Sequence, residues 1–231
     1  MKTVKSFTIL FVLALLLTSC VVKSLHAFYT KDILYYEPKF VGQWSDTDKG
    51  SWDIQPFKEV ILKDNHKANY SDLDNDEKRM YNDYKDGYVV YYSKDSTKTT
   101  FLAMPFKINN QLFLDFTPIE DRESEKEKND LYQMHLIKTH SLAKLDFDSS
   151  DSASIKWLDQ DKLEALIKED KIKIKYEKAG FDETILLTAS SDELVKFIEK
   201  YMNSEDKEKW KTDIEFSLKR EWATTLSVQV K

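Results

Sequence analysis

The run TTFLAMPFKINNQLFLDFT, residues 99–117, decides the fold. Asn109 and Asn110 separate two apolar segments at a point where a two-residue turn with positive φ is required, and Asn tolerates that backbone conformation. Segments 99–108 and 111–117 are therefore predicted to form an antiparallel hairpin. Both faces of the hairpin are apolar, so either a second layer covers one face or that face lines a cavity.

Short apolar runs separated by polar breaks continue on both sides of this hairpin, which is the pattern of a meander of strands. In segment 171–177, apolar residues alternate with Lys and Glu, as in a half-buried antiparallel strand. Further strands are predicted at 41–46, 57–63, 87–94, 135–147, 153–157 and 183–188.

Three stretches combine a capping side chain with helical spacing of apolar residues. The clearest is the capping box of Ser190 and Glu193 before the stripe that ends at Met202. The other two helices are predicted at 75–85 and 160–169. The fold class is thus predicted to be mainly β, an antiparallel barrel or strongly curved sheet with two or three peripheral helices.

Composition excludes several classes of function. The 231 residues are 41% apolar and 33% charged, enough for one packed domain. A formal net charge of −6 gives no basic footprint for nucleic acid, and 4 glycines leave no room for a Gly-rich phosphate loop. We therefore predict no nucleic-acid partner.

The N-terminus is predicted to be a signal peptide over residues 1–19. Lys2 and Lys5 precede an apolar run at 7–17, and small residues follow it. As a helix, residues 7–17 would be about 16 Å long, about half of the hydrocarbon thickness of a bilayer. A transmembrane helix is therefore not expected here.

Segment 17–20, Leu-Thr-Ser-Cys, resembles the lipobox of bacterial lipoproteins. The resemblance implies cleavage before Cys20, acylation of its sulfur and a lipid anchor in the membrane. Cys20 is the only Cys of the chain, so no intramolecular disulfide can form. Val21 stands where well-studied Gram-negative lipoproteins retained in the inner membrane have Asp, which implies the outer membrane, facing the periplasm.

The rest of the chain is divided by composition into three parts. Residues 20–40 are expected to be the lipidated Cys and an aromatic tether that docks in part onto the domain. Residues 41–203 are predicted to be a single β-rich domain with its C-terminal helix, and 204–231 a partly ordered segment. Segment 120–130 is charged at nearly every position and is expected to be a solvated loop.

Gly42, Gln43 and Trp44 resemble the Gly-any-Trp signature of lipocalins, in which the Trp closes the bottom of an up-and-down barrel. The resemblance implies an eight-stranded barrel, whose interior is just large enough for one small ligand. A wider pattern is similar to uncharacterised bacterial envelope lipoproteins and implies placement without an activity. That pattern comprises Trp44, Trp52, 113–116, 135–145, 157–159 and 186–190.

A set of aromatic and apolar side chains on the predicted strands could line a ligand pocket, with Tyr hydroxyls as polar groups, or could fill a packed core. Asp115 belongs to the set because a carboxylate in an apolar strand must be paired or neutralised. The candidate ligand-binding residues are Trp44, Tyr88, Tyr92, Phe101, Phe106, Phe113, Asp115 and Phe116.

No metal site is predicted. Asp72, Asp74 and Asp76 alternate as in a Ca²⁺ loop, but Glu77 stands where such a loop needs Gly, so an acidic loop with a helix cap is expected instead.

His140 follows His135 by five positions, which is an odd offset. On one strand this spacing places them on opposite faces, away from a shared ion.

No catalytic residue or cofactor is predicted. After lipidation no Cys is free, and the sequence has no Gly-any-Ser-any-Gly elbow. A pocket containing a carboxylate beside His135 or His140 would reopen an enzymatic function.

The sequence leaves two functions open. The first is an envelope lipoprotein whose barrel binds a small apolar or amphipathic molecule. The alternative is a structural or assembly lipoprotein that contacts another envelope protein through its outer surface, near Trp210 and Trp222. A cavity lined by inward aromatic residues would favour the first, and a filled interior with an exposed apolar patch near the C-terminal segment would favour the second.

Overall fold

In the part of the chain that the structure describes, short strands dominate and four α-helices lie between them. The structure, a computed structural model, describes residues 21–119, 136–180 and 183–221. The helices are α1 (Phe57–Asp64), α2 (Asn75–Tyr84), α3 (Gln160–Lys168) and α4 (Ser191–Met202). The strands are β1 (Lys23–Ser24), β2 (Gly42–Asp46), β3 (Ser51–Pro56), β4 (Tyr88–Lys94), β5 (Thr97–Ile108), β6 (Gln111–Ile119), β7 (His140–Phe147), β8 (Ser152–Trp157), β9 (Tyr176–Ala179), β10 (Thr184–Leu187) and β11 (Glu215–Arg220).

Eight of these strands form a closed antiparallel barrel. Strands β2 to β8 follow one another as a meander, and β11 closes the barrel between β8 and β2. The predicted fold class, a mainly β lipocalin-like barrel with peripheral helices, is confirmed, and the described residues contain four α-helices.

The hairpin of β5 and β6 forms as its sequence predicts. Asn109 has a φ of 49° and Asn110 a φ of 65°, so both turn residues have the left-handed conformation that a tight hairpin requires. Ile108 pairs with Gln111 across the turn. The outward side chains of Phe106, Ile108 and Phe113 are buried under a second layer, which is one reason for the two apolar faces of this hairpin.

That second layer packs against the outer face of β5, β6 and β7. Strands β1, β10 and β9 extend the sheet beyond β7, and α3 and α4 lie over it. Buried side chains from β5, β6, β7, β10, α3 and α4, together with the N-terminal segment, form one outer core, which includes Val22, Phe28, Phe106, Phe113, Leu142, Leu163, Leu187 and Ile198. The barrel wall therefore separates two apolar cores.

The two ends of the barrel differ. We call the end with the turns 47–50 and 95–96 the upper end, and the end with the turns 109–110 and 148–151 the lower end. The chain enters at the upper end, where Val21 bridges to Asp159. It then descends along the outside of the barrel, past a bridge between Leu34 and Phe106, and reaches the lower end at the fully buried Phe40.

Two predicted strands differ from the structure. Residues 57–63 form helix α1, because Pro56 ends β3 and the following apolar residues have helical spacing, with Val60 and Ile61 buried. In the predicted strand 171–177, only Tyr176–Ala179 pairs, because its partner Thr184–Leu187 has four residues.

Other predicted boundaries also move. Strand β7 begins at His140 rather than at residue 135, and residues 136–139 have no regular structure. His135 itself lies outside the described residues, as do the predicted signal peptide 1–19, Cys20 and the charged segment 120–130.

The domain is longer at both ends than the predicted range 41–203. Residues 21–40 pack along their length, and Phe28 and Phe40 are completely buried. Residues 215–220, in the predicted partly ordered segment 204–231, are the strand that closes the barrel. The sequence spacing of Trp210, Ile214 and Phe216 resembles a helix, whereas Phe216 and Leu218 alternate along β11. Residues 222–231 lie outside the described part.

Candidate functional site at the upper end of the barrel

Aromatic side chains from six strands meet inside the upper end of the barrel. Their ring centroids form a continuous series: 5.8 Å from Phe101 to Phe116, 5.0 Å from Phe116 to Trp157 and 5.7 Å from Trp157 to Phe216. The series continues with 5.2 Å from Phe216 to Trp52 and 4.7 Å from Trp52 to Tyr92. Such distances are typical of favourable aromatic contacts. We call these residues the aromatic cluster: Trp52, Tyr92, Phe101, Phe116, Trp157 and Phe216.

The aromatic cluster is only partly covered. Trp52, Phe116 and Trp157 are buried, with 3%, 1% and 9% of their surface exposed. Tyr92 and Phe101 are half-buried, and so is Phe216. The upper end therefore presents apolar ring surface that a small molecule could cover.

Asp46 holds the indole of Trp52 in place. Asp46 is 8% exposed, and its Oδ2 accepts a hydrogen bond of 2.9 Å from the Trp52 Nε1. Its Oδ1 accepts hydrogen bonds from the backbone N–H groups of Asp48, at 2.9 Å, and Gly50, at 2.7 Å. The turn between β2 and β3 thus fixes both the carboxylate and the ring.

Tyr92 provides a hydroxyl at this end. Burial raises the pKa of Tyr92, and the nearby carboxylates of Asp46, Asp48 and Asp95 raise it further, because they disfavour a phenolate. The hydroxyl is therefore neutral and can donate a hydrogen bond to a ligand.

The lower end is closed around Trp44. Trp44 is completely buried, and its Nε1 donates a hydrogen bond of 2.9 Å to the carbonyl of Phe40. The guanidinium of Arg220 lies over the Trp44 ring, 4.1 Å from its centroid. Arg220 also donates hydrogen bonds to three backbone carbonyls, those of Lys39, Val41 at 2.9 Å and Ser150 at 3.2 Å.

Gly42 is required beside this arginine. Its φ is +127°, a conformation that side chains rarely adopt, and a Cβ there would lie 2.7 Å from the Arg220 Nη1. Both Gly42 and Trp44 of the Gly-any-Trp motif therefore lie against the guanidinium of Arg220, which belongs to β11. Arg220 was not predicted from the sequence, because strand β11, on which it lies, was not predicted.

The predicted ligand-binding candidates divide between the two cores. Five of them face the barrel interior: Trp44, Tyr88, Tyr92, Phe101 and Phe116. Tyr92, Phe101 and Phe116 belong to the aromatic cluster, whereas Trp44 and Tyr88 lie towards the lower end.

The other three candidates, Phe106, Phe113 and Asp115, lie on the outer face of the wall, under the second layer. Register explains this division, because adjacent residues of a strand point to opposite faces.

Four residues of the upper end were not among the candidates predicted from the sequence: Asp46, Trp52, Trp157 and Phe216. For Trp52 a signal exists, since Trp52 and Ile54 alternate with polar residues in 51–56. No local sequence pattern predicts the contact between Trp157 and Phe216, because that contact depends on the closure of the barrel by β11.

Asp115 is paired, as a buried carboxylate must be. It is 1% exposed, and its Oδ2 accepts a hydrogen bond of 2.7 Å from the backbone N–H of Phe28. Its Oδ1 lies 2.7 Å from the His140 Nδ1. Burial and the Asp115 charge raise the pKa of Tyr29 strongly, so that hydroxyl stays protonated.

A carboxylate therefore does stand beside His140, the arrangement that would favour an enzyme. The hydroxyl of Thr117 lies 3.0 Å from the same Nδ1 atom that Asp115 contacts. In a nucleophile–histidine–carboxylate triad, the nucleophile contacts the other ring nitrogen. The Asp115–His140 pair instead joins the N-terminal segment to the barrel wall.

The acidic loop before α2 has a structural role. Asp74 caps the helix by accepting hydrogen bonds from the N–H groups of Asp76 and Glu77, and the Glu77 carboxylate accepts a hydrogen bond from the Asp74 N–H. Among the described residues, no group of three or more His, Cys, Asp or Glu side chains could hold a metal ion.

Comparison with protein-family models, curated proteins and solved structures gives no match for this chain. The likeness to lipocalins therefore consists of the closed antiparallel barrel and of the Gly42 and Trp44 motif at its lower end. In the described parts of the chain, no helix has both the length and the apolar character needed to cross a membrane.

Proposed function

We propose that the protein is a lipid-anchored cell-envelope lipoprotein whose barrel binds a small apolar or amphipathic molecule at its upper end. The observation that carries this proposal is the aromatic cluster inside a closed barrel, of which Tyr92, Phe101 and Phe216 are partly exposed. Covering apolar surface contributes about 25 cal/mol per Å². The Tyr92 hydroxyl supplies a polar contact that would orient the ligand.

The lower interior limits the size of this ligand. Phe40, Trp44 and Tyr88 are completely buried there, and the Tyr88 hydroxyl is held by Glu37, whose N–H donates to it at 2.8 Å. Because these side chains fill the lower end, the ligand would lie in the upper part of the barrel only. Binding would proceed by desolvation, without chemical change to the ligand.

The entry of the chain supports a ligand that comes from a membrane. Val21 bridges to Asp159 at the upper end, and consecutive Cα atoms are about 3.8 Å apart. An acyl group on Cys20 would therefore hold the upper end of the barrel close to the bilayer. An apolar ligand could then pass between the bilayer and the aromatic cluster with little exposure to water. The outer membrane, facing the periplasm, is the proposed location.

Ligand binding is tested with N-phenyl-1-naphthylamine, an apolar probe whose fluorescence rises out of water. The full chain should bind the probe, and Tyr92→Ser should weaken binding about fivefold or more, because it removes ring surface worth about 1 kcal/mol. Tyr70→Ser is the matched control, because Tyr70 is 40% exposed and lies outside the aromatic cluster. Equal binding by the two variants, or no binding by the wild type, would contradict the proposal.

The anchor is tested separately by labelling cells with radioactive palmitate. The wild-type protein should take up the label and Cys20→Ala should not. Equal labelling of the two would contradict lipidation, and it would leave the probe experiment unaffected.

The alternative function, structural or assembly contact with another envelope protein, is favoured by two observations. The lower interior is filled, and Leu136 and Ile137 are 50% and 73% exposed. Trp210 is half-buried against Phe113 and Tyr201, so it offers less surface than the sequence suggests. Trp222 lies outside the described residues. Purification of the chain from its host should yield a small molecule under the first function and a crosslinked protein under the second.

A further inference from the structure

A cleft rich in lysine lies on the outside of the barrel wall. Its volume is about 560 Å³, and five lysines and two glutamates line it. The chain as a whole carries a formal charge of −6, so this concentration of positive charge is a local exception. The lining side chains are Lys144, Lys156, Lys207, Lys209, Lys211, Glu208, Glu215, Met202, Trp210 and Thr212.

Two lysines stand directly opposite each other beside this cleft. Lys144 of β7 pairs with Lys156 of β8, and their side chains are only 19% and 28% exposed. Like charges opposite each other destabilise a sheet. Each lysine has one acidic neighbour, with Lys144 at 2.8 Å from Asp146 and Lys156 at 3.0 Å from Glu215. A pattern that breaks a local rule in this way is expected at functional sites.

The segment after α4 adds further positive charge to the cleft. The Lys209 Nζ donates hydrogen bonds of 2.7 Å to the carbonyls of Met202 and Ser204. Carbonyls are neutral, so these bonds hold the ammonium group in place without neutralising it, and the charge acts on Asp206, whose pKa Lys162 and Lys209 lower. Lys211 lies 3.6 Å from Glu208, and both side chains are exposed, so their ion pair is weak. Lys207 is exposed.

One side of the cleft is apolar and well held. The Trp210 ring lies 5.7 Å from Phe113 and 5.9 Å from Tyr201, and its Nε1 lies 3.2 Å from the Met202 sulfur. These contacts anchor Trp210 to the outer core. An organic group could therefore lie against Trp210 and Met202 while a charged group reaches the lysines.

We propose that this cleft binds the phosphoryl group of an organic phosphate that carries at least two negative charges. Lysine binds phosphate as a point charge, and a concave site focuses the field of several such charges. Two sources share this chemistry, a soluble phosphate ester and the headgroup of a phosphorylated lipid. The site is outside the barrel and depends on neither a ligand at the aromatic cluster nor a lipid on Cys20.

Titration calorimetry of the full chain at low salt tests the site with inorganic phosphate, pyrophosphate and glycerol 3-phosphate. We expect pyrophosphate to bind more tightly than phosphate, and binding to weaken as salt is added. Lys144→Met combined with Lys156→Met should weaken pyrophosphate binding about tenfold or more, because two charge-assisted contacts are lost.

The control removes the same net charge elsewhere. Lys98→Met combined with Lys219→Met changes two exposed strand lysines that do not line the cleft, and it should leave the affinity unchanged. Near-ultraviolet circular dichroism shows whether each variant is folded. If the Lys144 and Lys156 variant does not fold, Lys207→Glu, a change at an exposed position, should still weaken binding.

Dihexanoyl phosphatidic acid, used below its micelle concentration, separates the two sources. Tighter binding than glycerol 3-phosphate identifies a lipid headgroup, and equal binding identifies a soluble ester. Absence of binding by every phosphate probe would overturn the proposal. Equal binding by the cleft variants and the charge-matched control would overturn it as well.

Discussion

Single residues hold the ends of this barrel in place, and Arg220 does so most directly. It covers Trp44, lies beside Gly42 and binds carbonyls from two separate segments. A planar guanidinium can make all these contacts at once, because its N–H groups are fixed in a fork and its face stacks on a ring.

Arg220→Lys should therefore lower the free energy of unfolding by about 1–3 kcal/mol. An ammonium group cannot stack on the Trp44 ring and also donate hydrogen bonds to the three backbone carbonyls. Urea denaturation measures this change. Arg79→Lys is the control, because Arg79 is 72% exposed in its pair with Asp76, and it should change stability by less than about 0.5 kcal/mol. Equal effects of the two substitutions would contradict the role of Arg220.

Glu193 gives a pH-dependent prediction at the start of α4. Hydrogen bonds from Lys175 and from the backbone and side chain of Ser190 lower its pKa to about 2. The folded pKa is below the unfolded value of about 4.3, so the stabilisation is present above pH 4.3 and is lost as pH falls through about 2.

Carbon-detected NMR titration should show the pKa of Glu193 rising in Lys175→Met, because the largest cause of the depression is removed. The stability difference between wild type and Glu193→Gln should also shrink between pH 4.3 and pH 2. An unchanged pKa in Lys175→Met would contradict this account of the capping box.

The role of a residue could be predicted where it depends only on neighbouring residues in the sequence. The helix cap in the acidic loop and the need to pair Asp115 follow from the sequence alone. The partners of Asp115 do not, because His140 and the N–H of Phe28 are far from it in sequence and meet it only through strand register.

At the scale of elements, local signals predict the β5–β6 hairpin and α4 well. Strand β11 was missed because its six residues carry few apolar side chains and Trp210 and Ile214 precede them at helical spacing. Helix α1 was read as a strand because a short apolar run fits both structures. The aromatic cluster depends on β11 and could not be assembled from local patterns.

Strand β11 should be sensitive to loss of its backbone donors. Lys219 pairs with Ser45 on one side and Ser152 on the other. Lys219→Pro should cost about 3 kcal/mol or more, because proline has no N–H and is excluded from central strands. Lys219→Ala keeps the N–H and should stay within about 0.5 kcal/mol of wild type. Guanidinium denaturation of both variants tests this, and similar stabilities would show that β11 does not close the barrel.

At the scale of the whole molecule, residues 21–40 join the two cores. Phe28 fills the outer core, whereas Phe40 supports Trp44 inside the barrel. The sequence suggested a tether here because the segment has many aromatic residues but no regular pattern. The segment is buried because the apolar outer face of the β5–β6 hairpin would otherwise be exposed to water.

Phe28→Ala should lower the free energy of unfolding by about 3–5 kcal/mol, because Phe28 is completely buried and its removal leaves a cavity. Leu25→Ala is the control: Leu25 is 39% exposed, and the cost should be below about 1 kcal/mol. Thermal unfolding followed by circular dichroism compares them. A small effect of Phe28→Ala would mean that the segment is only loosely attached.

The place of β11 between β2 and β8 has a consequence for biosynthesis. Strand β11 is synthesised after all the other strands of the barrel, and it joins the first strand of the meander to the last. Contacts between such distant parts of a chain form slowly. A nascent polypeptide of this sequence would therefore remain an open curved sheet, with β2 and β8 as unpaired edges, until β11 and its Arg220 have emerged from the ribosome.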